Sequence, residues 1–161
     1  MGRTFRRGLL AGLLLLGLGP ALPAAEPAPP APSAREKCPV CGMFVARFPD
    51  WTGAVRFRDG AWAYYDGPKD LFAHLFRPAR PQPGRALPDA AVVLVKDYYG
   101  LAYIDARKAW FVLGSTVLGP MGRELVPFAR EADARGFLKD HGGQRVLAFA
   151  EVTPQLLKGL E

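Results

Sequence analysis

Cys38-Pro39-Val40-Cys41-Gly42-Met43 packs both cysteines and one of the three methionines of a 161-residue chain into six positions. Thiolate and thioether are soft donors, suited to Cu(I), or for thiolate alone to zinc and iron–sulfur centres. A C-x-x-C turn lets two sulfurs converge on one metal ion or on each other, and Gly42 relaxes the backbone just beyond. Three chemistries fit these residues. One is a disulfide or a thiol–disulfide exchange pair. Another is half of a structural zinc site, whose remaining imidazole ligands would have to be His74 and His141. The third is a Cu(I) site, favoured by Met43 so close to the thiols. Met121 sits in Gly119-Pro120-Met121-Gly122, a turn with no periodic apolar face to give a methionine a packing role. It is either a plug between two halves of the chain or a thioether ligand presented from a rigid turn. His141 precedes Gly142-Gly143 at a helix end, where it can meet the last carbonyls, and reads as structural.

The elements that must position these residues follow a simple grammar. Thr52–Phe57 and Ala61–Tyr65 read as strands joined at Asp59-Gly60, a strong hairpin signal. Asp66-Gly67-Pro68-Lys69-Asp70 opens a helix with Pro68 in its first turn and Leu71, Phe72 and Leu75 on its apolar face; His74 rides on it. Arg77–Pro88 is a loop rich in proline and arginine, and Ala91–Val95 a buried type of strand. The second half repeats the pattern. Leu101–Asp105 and Trp110–Leu113 read as strands around Ala106-Arg107-Lys108, Arg123–Phe128 as a third, Arg130–His141 as a helix, and Val146–Val152 as a closing strand before a short tail at Leu156 and Leu157. The expected fold class is α+β: two similar strand–strand–helix–strand units with mostly antiparallel sheets, over 36–96 and 97–161.

Residues 1–25 read as a secretory leader, with Arg3, Arg6 and Arg7 ahead of the apolar run Leu9–Leu18 and a small-residue end at Ala24-Ala25. No cysteine follows that run closely, which speaks against ordinary lipoprotein attachment; an uncleaved anchor would be the alternative to cleavage. Residues 26–35 form a proline-rich spacer. The chain carries a formal +6, but without the leader it has 18 basic against 15 acidic side chains, a net +3 with the signs interspersed. No basic run with interleaved aromatics exists, so nucleic acid is an unpromising partner. With no G-x-S-x-G, H-E-x-x-H or phosphate loop, the sequence offers no enzyme constellation. Export also sets the redox context: an unprotected C-x-x-C outside the cytoplasm tends to oxidise unless a metal or a reductant holds it.

The Cys38–Met43 run, Tyr65-Asp-Gly-Pro-Lys-Asp70, Asp97-Tyr98-Tyr99 and above all Gly119-Pro-Met-Gly-x-Glu-Leu-x-Pro-Phe128 resemble the NosL family. The likeness runs from about residue 36 to about residue 153. The family comprises exported copper-binding accessory proteins of nitrous oxide reductase maturation. The resemblance implies a pair of similar units and Cu(I) held by Cys41, Met121 and a histidine at position 123. This chain has Arg123 there, and a guanidinium cannot ligate copper. Cys38, aimed inward from the same turn as Cys41, is the leading candidate to replace it, with Met43 second; Arg123 would then offset the charge of a bis-thiolate site. The expectation is a non-enzymatic Cu(I) metallochaperone of the periplasm. Its partner would be an apo copper enzyme, nitrous oxide reductase, or the membrane complex that matures it. The alternative is a periplasmic C-x-x-C redox protein.

Overall fold

The computed structural model describes residues 28–77 and 85–160, together with Met1. The leader beyond Met1 and the middle of the proline- and arginine-rich loop lie outside the described residues.

Strands β1 (Gly53–Phe57) and β2 (Trp62–Tyr65) form the hairpin expected at Asp59-Gly60, where Gly60 takes a positive φ of 86°. Helix α1 (Pro68–Phe76) follows with Pro68 at its start, and β3 (Ala90–Lys96) returns antiparallel to β1. β4 (Tyr103–Asp105), read in the sequence as the opening strand of the second unit, pairs with β3, so the first sheet has the order β2-β1-β3-β4. β5 (Trp110–Gly119), β6 (Gly122–Phe128) and β7 (Arg145–Ala148) make an antiparallel sheet of order β6-β5-β7, with α2 (Glu131–Asp140) between β6 and β7. The fold is α+β with two antiparallel sheets, as expected.

Three boundaries differ from the sequence reading. β5 continues past Leu113 to Gly119 through a register shift that contains Gly114, at φ 77°; the glycine and the polar Ser115-Thr116 hid the second part of the strand. The closing strand stops at Ala148, because Phe149–Glu151 turn into a 3-10 helix whose Glu151 carboxylate accepts the Ala148 N–H at 2.7 Å. The tail is a short helix, α3 (Pro154–Lys158), whose first turn is capped by the Thr153 hydroxyl. The spacer is not detached where it is described: Pro29 is buried, and the Tyr64 hydroxyl donates to the Pro30 carbonyl at 2.7 Å.

Strand alternation explains how one core serves both sheets. Phe111 and Leu113 of β5 and Leu125 of β6 join Val55, Phe57, Tyr65, Leu71, Phe72, Val93 and Val95 in the main core. Val112, Val126 and Phe128 turn the other way and pack with Ala134 and Phe137 of α2. Phe72 meets Phe111 edge-on at 5.3 Å, so α1 is clamped against the second sheet as well as the first. No helix among the described residues is long and apolar enough to cross a membrane.

Candidate metal centre

The cysteine turn is a closed loop. Lys37 and Phe44 form a β-bridge, the Cys38 N–H donates to the Met43 carbonyl (2.9 Å), and the Gly42 N–H donates to the Cys38 carbonyl (2.9 Å). Gly42 supplies the positive φ, 80°, that this closure requires. Val45, wholly buried, anchors the exit. The loop drives Cys38 into the core, where it is 1% exposed, and leaves Cys41 half-buried.

Opposite the loop lies the entry to α1. Tyr65 ends β2 in the core; Asp66 follows, Gly67 caps the helix in an extended conformation, and Asp70 completes the first turn. Both carboxylates are buried, at 1% and 6% exposure, near the end of the helix where backbone N–H groups favour negative charge. The Cys38 thiol donates to Asp70 Oδ2 at 3.3 Å, and the Cys41 thiol to both Asp66 oxygens at 3.4 Å. One donor atom from each of Cys38, Cys41, Asp66 and Asp70 lies within 4.8 Å of the other three. This is the spacing of a donor set around a single ion.

The electrostatics favour keeping the sulfurs protonated until a cation arrives. Burial pushes the Cys38 thiol far up, with the adjacent carboxylates adding to it. Burial and Asp70 push Cys41 up to about 11. Asp70 is itself raised by burial. Reactive C-x-x-C pairs depend on a depressed thiol pKa beside positive charge or at a helix N-terminus. Here both thiols are raised, and carboxylates stand where cations would have to be. A metal ion reverses this balance, because it neutralises the thiolates and relieves the buried carboxylates together.

Cys41 and Asp70 also line an open cavity of about 400 Å³, and Met121 lines it from the second sheet's hairpin, 43% exposed. Cys38, Cys41 and Met121 are thus brought to one region. Met43 is half-buried, holds the loop through its carbonyl and does not line that cavity. Arg123 borders a neighbouring cavity of about 190 Å³ with Gln144, and Leu160 borders both. His74 is buried between Phe57 and Tyr65 and stands outside the four-donor group. His141 stacks on Phe137 at 4.3 Å at the end of α2, a structural position.

In the sequence Asp66 and Asp70 read only as residues of a helix start. Their i, i+4 spacing was the available signal, but nothing local tied it to thiols 25 and 32 residues away.

A thiol–carboxylate centre on a two-sheet α+β frame, open to a cavity with a thioether at its edge, has the donors and spacing to hold a metal ion. A sequence model of the NosL family matches residues 29–157, and the chain belongs to that family. It is 33% identical over 131 residues to the copper-binding lipoprotein NosL of Stutzerimonas stutzeri, a match covering 76% of this chain and 65% of that protein. The crystal structure of the copper chaperone NosL from Shewanella denitrificans superposes with a TM-score of 0.67 at 27% identity, covering 83% of this chain and 99% of that one.

Proposed function

We propose that this protein is an exported, non-enzymatic Cu(I) metallochaperone that supplies copper to a periplasmic enzyme, nitrous oxide reductase, directly or through its membrane maturation complex. The observation that carries the reading is the convergence of two thiols and two carboxylates within 4.8 Å, beside a cavity that also exposes Met121. Family membership and the copper-binding names of its relatives support the same cargo. Cu(I) prefers the sulfurs: Cys41 and Cys38 as thiolates, Met121 as thioether. Asp66 and Asp70 receive the thiol hydrogen bonds when the metal is absent, and their charge favours a cation when it enters.

Anaerobic titration of the reduced protein against a chromogenic Cu(I) chelator tests this. We expect about one Cu(I) per chain, from the single cluster of soft donors, and a large loss of affinity in Cys41→Ser. Unchanged binding by that variant removes the reading in favour of a redox role for the cysteines. Export is tested by the intact mass of the periplasmic protein, expected to start near Glu26 and to carry no lipid; a retained leader or a diacylglycerol adduct overturns it.

A further inference from the structure

Glu124 is a buried carboxylate, 3% exposed, that the donor cluster does not use. It lies on β6 three residues beyond Met121. Its Oε1 accepts two backbone N–H groups: Leu125, next to it in the strand (2.9 Å), and Lys69 in the first turn of α1 (2.6 Å). Two glycines make room for it. A Cβ on Gly67 would run into Oε2, and one on Gly119 would come within 2.9 Å of Cγ. Gly67 has an extended φ of −159°, so it serves close approach and not an unusual backbone conformation. A second bond crosses the same gap in the other direction: the Lys69 ammonium donates to the Met121 carbonyl at 2.9 Å.

Residue 69 is therefore held by β6 and in turn holds the turn between β5 and β6. It is also the chain neighbour of Asp70, which receives the Cys38 thiol. Apolar packing does little for the turn itself, because Leu118 and Met121 are 63% and 43% exposed. Its position relative to the thiols depends on polar contacts, and these two are the ones that reach α1.

We propose that Glu124 and Lys69 are positioning residues that fix the Met121 thioether at the Cys41 cavity, so that a Cu(I) ion bound by the thiols also meets the thioether. This rests on the Cu(I) reading above. Removal of either contact lets the turn drift while leaving every sulfur donor in the chain. Partners that orient metal ligands from behind typically change affinity about 10- to 100-fold.

The test uses the reduced, full mature protein with its methionine methyl groups labelled with carbon-13. Cu(I) affinity and the Met121 methyl resonance are read for the parent, Lys69→Leu, Glu124→Ala, Glu124→Gln and Met121→Leu. The expected result has four parts. The parent's Met121 methyl shifts on Cu(I) loading. In Lys69→Leu and Glu124→Ala that shift shrinks and affinity falls about as far as in Met121→Leu. Glu124→Gln, which keeps the carbonyl acceptor, behaves as the parent. Lys69→Leu combined with Met121→Leu binds no more weakly than Met121→Leu alone, which a general loss of structure would not reproduce. The proposal is overturned if Lys69→Leu keeps the parent's affinity and methyl shift, or if its loss adds fully to that of Met121→Leu. A parent that binds Cu(I) with a silent Met121 methyl also overturns it, while sparing the metallochaperone reading. A parent that binds no Cu(I) overturns both. Lys69 is half-buried and its ammonium contact is exposed, so its variant keeps the test decisive if Glu124→Ala fails to fold.

Discussion

Glu124 also makes the fold's stability depend on pH in a direction opposite to that of an ordinary salt-bridged acid. Burial raises its pKa from 4.5 to about 8, only partly opposed by the Leu125 and Lys69 N–H bonds. The folded chain therefore binds this proton more tightly than the unfolded chain. The stability present below pH 4.5 is lost as pH rises, and the loss is complete once the folded group has ionised near pH 8. The two values together correspond to about 5 kcal/mol at most, at about 1.4 kcal/mol per pH unit. That is a large part of the 5–15 kcal/mol (roughly) that holds a typical domain together. Glu124→Gln keeps the shape and an acceptor but cannot ionise. Urea unfolding of reduced, metal-free parent and variant should give similar stabilities near pH 5, with the parent falling behind by several kcal/mol by pH 9. Asp70, raised by burial, and His74, lowered by burial, titrate in both proteins, so the difference between parent and variant reports Glu124 together with the push it receives from the Asp70 charge. A difference constant to within about 0.5 kcal/mol from pH 5 to pH 9 would refute the reasoning, since it would mean that Glu124 is no harder to ionise in the fold than outside it.

Two further outcomes follow from the donor cluster. With its thiol held up to about 11, Cys41 should alkylate slowly with iodoacetamide at pH 8 in the metal-free protein, and Asp70→Asn should speed the reaction several-fold by removing the negative charge beside it; mass spectrometry of labelled peptides reads both. Arg123→His in a Cys38→Ala background should recover little Cu(I) affinity in the same chelator titration, because position 123 borders a different cavity, with Leu160 between it and the cavity of Cys41. Recovery to near the parent's affinity would show that Leu160 yields and that position 123 reaches the metal.

Local chemistry was legible in the sequence; the partners of that chemistry were not. Asp59-Gly60 announced its hairpin and Pro68 its helix start, because turn and cap preferences act over a few residues. Tyr103–Asp105 was legible as a strand. Its place beside β3 was not, because pairing is decided by registers that strand propensity leaves open. The same division runs through the site. The soft donors Cys38, Cys41 and Met121 stood out by type and spacing. Asp66, Asp70 and Glu124 looked like ordinary acids near turns, and only the packing of α1 between the cysteine loop and β6 gives them their roles.

Burial along the sulfur donors gives the site a direction. Cys38 is 1% exposed, Cys41 is half-buried, and Met121 is 43% exposed across the cavity mouth. A structural zinc centre has no use for such a gradient, since it gains by closing every ligand away from water. A carrier does. Under the proposed reading an arriving Cu(I) ion meets the thioether first, then Cys41, and settles against Cys38 last, each thiol releasing its proton to solvent by way of the Asp66 or Asp70 carboxylate it had bonded. Release runs the same course backwards, and the last donor to let go is the one a partner's side chain can most easily replace. The two sheets must hold their relative position for this to work, because the thiols face the start of α1, which follows β2 of the first sheet, and Met121 stands on a hairpin of the second. Phe72 packed on Phe111, the Tyr98 N–H bound to the Pro127 carbonyl, and the Ala129 N–H bound to Asp97 Oδ1 at 2.7 Å lock them together away from the site. Only the exposed turn that carries Met121 is left to be positioned by a local clasp.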